Sequence, residues 1–283
     1  MLRRWSIRRT VRNCATADVS DRAGVDAYLK SSLGDYPVVI DGAPIEDGKV
    51  GTMLVGCDEY YLQVYLEPLL RSIEHNDSEM RLHLHVADAS DSGISYVHRL
   101  ASQTLGDLLS ATFSKPDNLE SLSYRQIYYS ACRFLILGEI LRRTGQPVFS
   151  IDVDAVVMRP VWPTLSQHLN GADVVIFRRD ARRAEKRVLA GAVAVAPTEL
   201  GRRFASNLAC ALLKLLETRP RYHVDQITLG YLIDTMEPMG LRVAQMPTSL
   251  IDFEFDADSI IWTAKGGRKD DAKFRAAASA ILQ

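Results

Sequence analysis

Asp152 and Asp154 stand one residue apart at the end of a short apolar run, Val148-Phe149-Ser150-Ile151-Asp152-Val153-Asp154-Ala155-Val156-Val157. In an extended strand, side chains two positions apart share a face. The spacing therefore predicts two carboxylates projecting together from the end of a buried strand. Two such charges about 4 Å apart repel by roughly 4 kcal/mol at an effective dielectric near 20. A cation between them relieves that repulsion. A hard divalent ion that also binds phosphate oxygens, Mn2+ or Mg2+, suits the place. The plainer reading is a pair of surface aspartates screened by solvent.

Other stretches carry weaker chemical signals. Trp262-Thr263-Ala264-Lys265-Gly266-Gly267-Arg268-Lys269 joins two glycines, which let a backbone approach a ligand, to three cations that suit phosphate. A basic turn on the surface has the same composition. Asp225-Gln226 follows Tyr222-His223-Val224 at the start of a helical pattern. Locally Asp225 reads as a helix N-cap, and it also presents a carboxylate and an amide to a substrate. His83 and His85 share one face of a strand; with no third ligand in view they read as packing and hydrogen-bonding residues. The cluster Arg178, Arg179, Arg182, Arg183, Lys186 and Arg187 reads as a solvated face, with an anionic substrate as a second use.

From Val50 onward strands and helices alternate. Strands are expected at 50–55, 81–87, 111–114, 148–151, 173–177, 188–196 and 241–245. Helices are expected at 59–74, 92–109, 123–143, 200–218, 225–235 and over the last twelve residues. Pro68 should kink or break the first of these helices. Such alternation predicts an α/β layered fold with a mostly parallel central sheet and helices on both faces, with ligands at the carboxyl ends of strands. A short helix at 20–31 and a loop rich in Gly, Pro and Asp at 33–49 separate an N-terminal extension, 1–49, from a main domain, 50–283.

Lys and Arg total 34 against 35 Asp and Glu, a net charge of −1, which argues against a nucleic-acid partner. Cys14, Cys57, Cys132 and Cys210 have neither metal-ligand nor redox spacing and suit reduced thiols in a cytoplasmic protein. Residues 1–17 hold five arginines and no acid before Asp18. They read as a solvated tail or a surface helix, with peripheral membrane contact as the functional option.

Taken in order, these segments resemble a GT-A glycosyltransferase, a nucleotide-diphospho-sugar transferase similar to those of family eight. Val55-Gly56-Cys57-Asp58-Glu59-Tyr60-Tyr61 resembles the strand and turn that hold the nucleoside. Arg133 in Tyr128-Tyr129-Ser130-Ala131-Cys132-Arg133-Phe134 resembles the arginine facing the donor. Asp152-Val153-Asp154 resembles the DxD metal motif. Leu189-Ala190-Gly191-Ala192-Val193 resembles the Asn-Ala-Gly-Val strand beside the donor sugar, and Trp262 to Lys269 the diphosphate-binding segment.

The resemblance implies a GT-A (Rossmann-like) fold and metal-dependent transfer of a sugar from a nucleoside diphosphate, UDP being favoured. The acceptor, a glycan, a protein or a small molecule, is not singled out. It implies donor contacts from Asp58, Tyr60, Arg133, Asp152, Gly191, Ala192, Trp262, Lys265, Gly266 and Gly267. It implies Mn2+ or Mg2+ on Asp152 and Asp154, and Asp225 and Gln226 near the reacting carbon. Three positions depart from the family pattern. Cys57 replaces an acid, Leu189 an asparagine, and no histidine matches the C-terminal metal ligand, near whose place lie Asp258 and Ser259. The alternatives are a haloacid-dehalogenase-type phosphatase with Asp152 as nucleophile, and a non-catalytic module that binds sugar nucleotides.

Overall fold

The computed structural model describes residues 4–16, 25–26, 50–77, 80–104, 109–114, 124–220, 223–264 and 266–282. The elements follow one another as α1 (Arg4–Thr16), β1 (Gly51–Cys57), α2 (Glu59–Asn76), β2 (Met80–Ala87), α3 (Asp91–Thr104) and β3 (Leu109–Ser114). Next come α4 (Arg125–Thr144), β4 (Val148–Ile151), β5 (Ala155–Val157), α5 (Trp162–Leu169), β6 (Val174–Arg178) and β7 (Val188–Val195). The chain ends with α6 (Glu199–Leu216), α7 (Val224–Met236), β8 (Val243–Gln245), β9 (Ile251–Asp252), β10 (Ile261–Thr263) and α8 (Ala272–Ile281). The expected helix at 20–31 and loop at 33–49 fall almost wholly outside the described residues.

Seven strands form the main sheet in the order β3-β2-β1-β4-β7-β6-β8. Only β7 runs against its neighbours. Strands β1 and β4 are buried along their whole length, which is why they read as continuous apolar runs rather than as an alternation. Met53 and Val55 face α2 and α3 on one side of the sheet; Leu54 faces α4, α6 and α7 on the other. Helices therefore cover both faces, as the alternating pattern requires. No helix among the described residues is long and apolar enough to cross a membrane.

A second, three-stranded sheet in the order β5-β10-β9 begins directly after Asp154. Polar side chains of α2 anchor it. Ser72 Oγ accepts from the Val157 amide at 2.9 Å, and Asn76 Nδ2 donates to the Val157 carbonyl at 2.9 Å. Helix α2 itself runs through Pro68 without a break. The carbonyl that Pro68 leaves without its amide belongs to Val64, on the exposed side of the helix, where the lost donor leaves no buried carbonyl unpaired. Leu62, Leu66, Leu69, Leu70 and Ile73 hold the opposite side in the core.

The arginine-rich start is a docked surface helix rather than a solvated tail. Ile7, Val11, Cys14 and Ala15 of α1 join the core cluster that contains α6 and α7, while Arg8, Arg9 and Arg12 face outward. Docking brings the Cys14 and Cys210 sulfurs to 3.3 Å, a contact between residues remote in sequence. The α3 helix stops at Thr104 and Leu109 opens a strand, so the helix expected to reach 109 is shorter.

His83 and His85 are fully enclosed, and their partners are hydroxyls on the neighbouring strand. His83 contacts Ser110 Oγ at 2.8 Å and Thr112 Oγ1 at 3.0 Å. His85 contacts Thr112 Oγ1 at 2.9 Å and Ser114 Oγ at 3.1 Å. Burial lowers both histidines to about 3, His85 and Arg143 adding to the effect on His83. An unfolded histidine takes up its proton near pH 6.5. The unfolded chain therefore binds more protons between pH 6.5 and about 3, and stability held in full above 6.5 falls as the pH drops through that window. The cost at pH 5 is about 2 kcal/mol for each histidine. Replacing both by Gln, which can still hydrogen-bond, should flatten the loss of urea-unfolding free energy between pH 7.5 and 5. Equal losses in the two proteins would contradict this assignment.

Candidate functional site

The direction of strand addition reverses between β1 and β4. From β1 the sheet grows through β2 to β3 on one side and through β4 on the other, with β1 and β4 parallel. Loops leaving two such strands part in opposite directions and open a crevice at their carboxyl ends. A cleft of about 260 Å³ lies there. Gly56, Cys57 and Asp58 from the end of β1 line it, as do Asp152, Val153 and Asp154 from the end of β4. Helix α4 contributes Gln126, Tyr129, Ser130 and Arg133, one helical stripe at i, i+3, i+4 and i+7. Tyr61, Gly266 and Lys269 complete the lining.

Asp152 and Asp154 do face one cleft, although not as neighbours on a strand. Strand β4 ends at Ile151, and Asp152-Val153-Asp154 forms the bend into β5. The bend is pinned at both ends. The Asp152 amide donates to the Gly191 carbonyl at 3.3 Å, and the Ala264 amide donates to the Asp154 carbonyl at 2.9 Å.

Each carboxylate has a cation of its own. Asp152 Oδ1 lies 2.7 Å from Arg133 Nη2, and Asp154 Oδ2 lies 3.0 Å from Lys269 Nζ. Arg133 is only 3% exposed; its Nη2 also donates to the Ala190 carbonyl at 3.0 Å, and its Nε has no acceptor among the described residues. Burial, then the Asp152 charge, pushes Asp154 up to about 6 against the pull of Lys269. Burial pulls Lys269 down, but the Tyr61 hydroxyl and Asp154 outweigh it and raise it overall.

Two glycines make the arrangement possible. A Cβ on Gly56 would lie 2.8 Å from Arg133 Cβ, so the bare glycine lets α4 sit directly over β1. A Cβ on Gly191 would lie 2.8 Å from Asp152 Oδ2. Gly191 therefore leaves the space that the Asp152 carboxylate fills while it holds Arg133.

Several residues singled out by sequence take other places. Tyr60 is 67% exposed and outside the cleft; Tyr61, about 100° further round the first turn of α2, faces in. Asp58 lines the cleft and also caps α2, accepting from the Tyr61 amide at 3.0 Å. Ala192 is buried in β7 opposite Ile151, outside the cleft lining. Trp262 packs on Phe255 and donates Nε1 to the Asp256 carbonyl at 2.7 Å, so it holds the C-terminal segment rather than lining the cleft. Gly266 lines the cleft, Gly267 does not, and Lys265 lies outside the described residues.

The helix cap before α7 is His223, in the left-handed region at φ 56°, and not Asp225. Asp225 sits one residue inside the helix, buried, its Oδ1 accepting from the Gln226 amide at 2.8 Å. Burial raises its pKa, Arg133 opposes the rise and Asp152 reinforces it, which places Asp225 within the field of the site. Gln226 Nε2 donates to the Glu185 carbonyl at 2.8 Å and so ties α7 to the loop before β7. Neither residue is part of the cleft lining.

In the basic cluster at the end of β6, Arg179, Arg182, Arg183 and Lys186 are exposed, the solvated face expected, and the other two arginines are paired. Arg178 pairs with Glu237 at 2.7 Å and Arg187 with Asp234 at 2.6 Å. Asp258, near the place of the missing histidine, is 92% exposed on its side chain and pairs with Arg159 at 3.0 Å. Among the described residues no three His, Cys, Asp or Glu side chains converge as a metal cage. Two carboxylates nevertheless suit Mg2+ or Mn2+, which are commonly held by one or two protein carboxylates plus substrate phosphates and water.

The sequence did not single out Gln126, Tyr129, Ser130, Tyr61 or Lys269 individually, although all but Gln126 stand within the segments quoted for the resemblance. The polar stripe on an otherwise apolar α4 was a readable signal for the first three. Lys269 was hidden among Lys265, Arg268 and its own two-glycine turn.

No protein-family model matches the sequence, and no curated protein does. Solved structures do match in fold. A galactosyltransferase, LgtC, crystallised with donor and acceptor sugar analogues, superposes with a TM-score of 0.57 at 13% identity, over 83% of this chain and 97% of that one. The glycosyltransferase GlyE of Streptococcus pneumoniae TIGR4 matches with a TM-score of 0.55 at 15% identity, over 83% of this chain and 62% of that one. The bifunctional glycosyltransferase WbbM matches at 0.52 and 17% identity, over 84% of this chain and 45% of that one. The fold is the GT-A type of these proteins, as the order of sequence motifs predicted.

The Gly191–Asp152 contact is testable by a double-mutant cycle. Gly191→Ala should cost about 1–3 kcal/mol of stability, because the new methyl group displaces the Asp152 carboxylate from Arg133. In an Asp152→Ala background the same change should cost much less, since the space is then vacant. Unfolding free energies that simply add across the cycle would contradict the contact.

Proposed function

We propose that this protein is a metal-dependent glycosyltransferase that takes its sugar from a nucleoside-diphosphate sugar. The observation that carries the reading is the convergence of Asp152, Asp154, Arg133 and Lys269 on one cleft at the β1/β4 reversal of a GT-A-type fold. Transfer from such a donor leaves a diphosphate that must be stabilised as it departs. Asp152 and Asp154 would hold Mn2+ or Mg2+, which as a Lewis acid spreads the charge of the leaving group.

The protein's own side chains supply the rest. Arg133, buried and fixed, orients Asp152 and sets a positive charge in the wall of the cleft. Lys269 offers an ammonium to the phosphates. Asp58 and Tyr61, at the start of α2 just past β1, lie where the nucleoside of a donor would enter. Asp225, whose pKa is raised, and Gln226 are assigned to the reacting sugar, Asp225 as a base or as an anchor. A UDP-sugar is the favoured donor, on the resemblance in sequence order; the LgtC, GlyE and WbbM folds support the transferase reading.

Against the phosphatase alternative stands the fold, which superposes on glycosyltransferases over more than four-fifths of this chain. Exposed Arg8, Arg9 and Arg12 on α1 support peripheral contact with an anionic surface, and the thiol content supports a cytoplasmic setting.

Thermal unfolding with a panel of nucleotide sugars tests the function. A donor at about 100 times its Kd, with Mn2+, adds about 2.7 kcal/mol and should raise Tm by roughly 5 °C. Asp154→Asn should abolish that shift. No shift with any nucleotide sugar, or an equal shift in Asp154→Asn, would contradict the proposal.

A further inference from the structure

We infer that Lys269 is a built-in counter-ion that occupies the cation position on Asp154 until a divalent metal arrives together with a diphosphate. The inference rests on the donor-cleft reading above and adds an order to it. Lys269 is not a wandering surface lysine. Its Nζ lies 3.0 Å from Asp154 Oδ2, donates to the Tyr61 hydroxyl, and stands 4.0 Å from the Tyr61 ring centre and 5.6 Å from that of Tyr65. A carboxylate, a phenolic oxygen and two aromatic faces together make a seat for a positive charge.

The other acid is already committed. Asp152 is bound to an arginine that is almost completely buried and also tied to the Ala190 carbonyl. The four side chains Asp152, Arg133, Asp154 and Lys269 therefore cancel in pairs. A bare divalent ion meets an ammonium at the carboxylate it needs, and a bare diphosphate meets cations that are already paired, with the Asp58 carboxylate also on the cleft wall. When both arrive, Asp154 exchanges its ammonium for the metal and Lys269 turns to a phosphate oxygen, so every charge stays paired. Lys269 has room to do so. It belongs to a short 3-10 turn, Gly266–Asp270, that opens on Gly266 at φ +66°, and neither Gly266 nor Gly267 has any atom near its missing Cβ.

The consequence is reciprocal coupling: metal and nucleotide each raise the affinity of the other, and Lys269 enforces it. Lys269→Met keeps the apolar stem and removes the charge. Titration of Mn2+ alone, followed by electron paramagnetic resonance of the free ion, should show binding about tenfold tighter in Lys269→Met than in wild type. In the presence of saturating Mn2+, the same variant should bind UDP about tenfold more weakly by calorimetry.

Adding Asp154→Asn to Lys269→Met should cancel the gain in Mn2+ affinity. Unchanged or weaker Mn2+ binding by Lys269→Met, or a gain that survives loss of Asp154, would overturn the inference. Thermal melts of each variant confirm that it is folded. The Mn2+ arm uses no nucleotide. A protein that binds no nucleotide sugar at all, yet gains Mn2+ affinity on Lys269→Met, would refute the transferase reading and uphold the role of Lys269.

Discussion

The structure is organised around the repulsion of two carboxylates at the end of one buried strand. Asp152 and Asp154 share a cleft walled by the ends of β1 and β4, Asp154 buried and Asp152 partly exposed. Left alone, such a pair would drive one member to take up a proton; burial first, and the Asp152 charge second, push Asp154 up to about 6. The fold balances the rest with two cations, one before the pair in the chain and one after it. Arg133 comes from a helix laid over β1, and Lys269 from a turn beyond the second sheet.

Much of the packing serves that balance. Gly56 lets α4 approach closely enough for Arg133 to reach across the strand ends, and Gly191 leaves room for the carboxylate it meets. The second sheet, anchored to α2 by Ser72 and Asn76, fixes the far end of the Asp152–Asp154 bend. Strand β10 runs antiparallel to β5 and leads into the turn that presents Lys269. A site whose two cations are already paired favours a ligand that brings both signs, as a metal diphosphate does.

The layered α/β fold was legible in the sequence because β1 and β4 are buried on both faces and read as unbroken apolar runs between amphipathic helices. The acidic pair was legible because carboxylates rarely interrupt such a run. What was not legible depended on direction or distance. Tyr60 and Tyr61 are equivalent as letters; only the starting point of α2 decides which ring enters the cleft. Lys265 and Lys269 flank the same glycines, and the turn that selects Lys269 has no signature of its own. Asp225 carries the composition of a cap, but the chain enters α7 through His223 instead. The docking of α1 and the Cys14–Cys210 contact join segments almost 200 residues apart, which no local pattern encodes.

The most direct test of this account is a crystal structure of the protein grown with Mn2+ and UDP, with the metal located by its anomalous scattering. The account predicts one metal peak within bonding distance of Asp154, beside Asp152, with the diphosphate next to it and Lys269 moved onto a phosphate oxygen. A diphosphate seated away from the β1/β4 crevice, or in it with Lys269 still on Asp154 and no metal between, would contradict it.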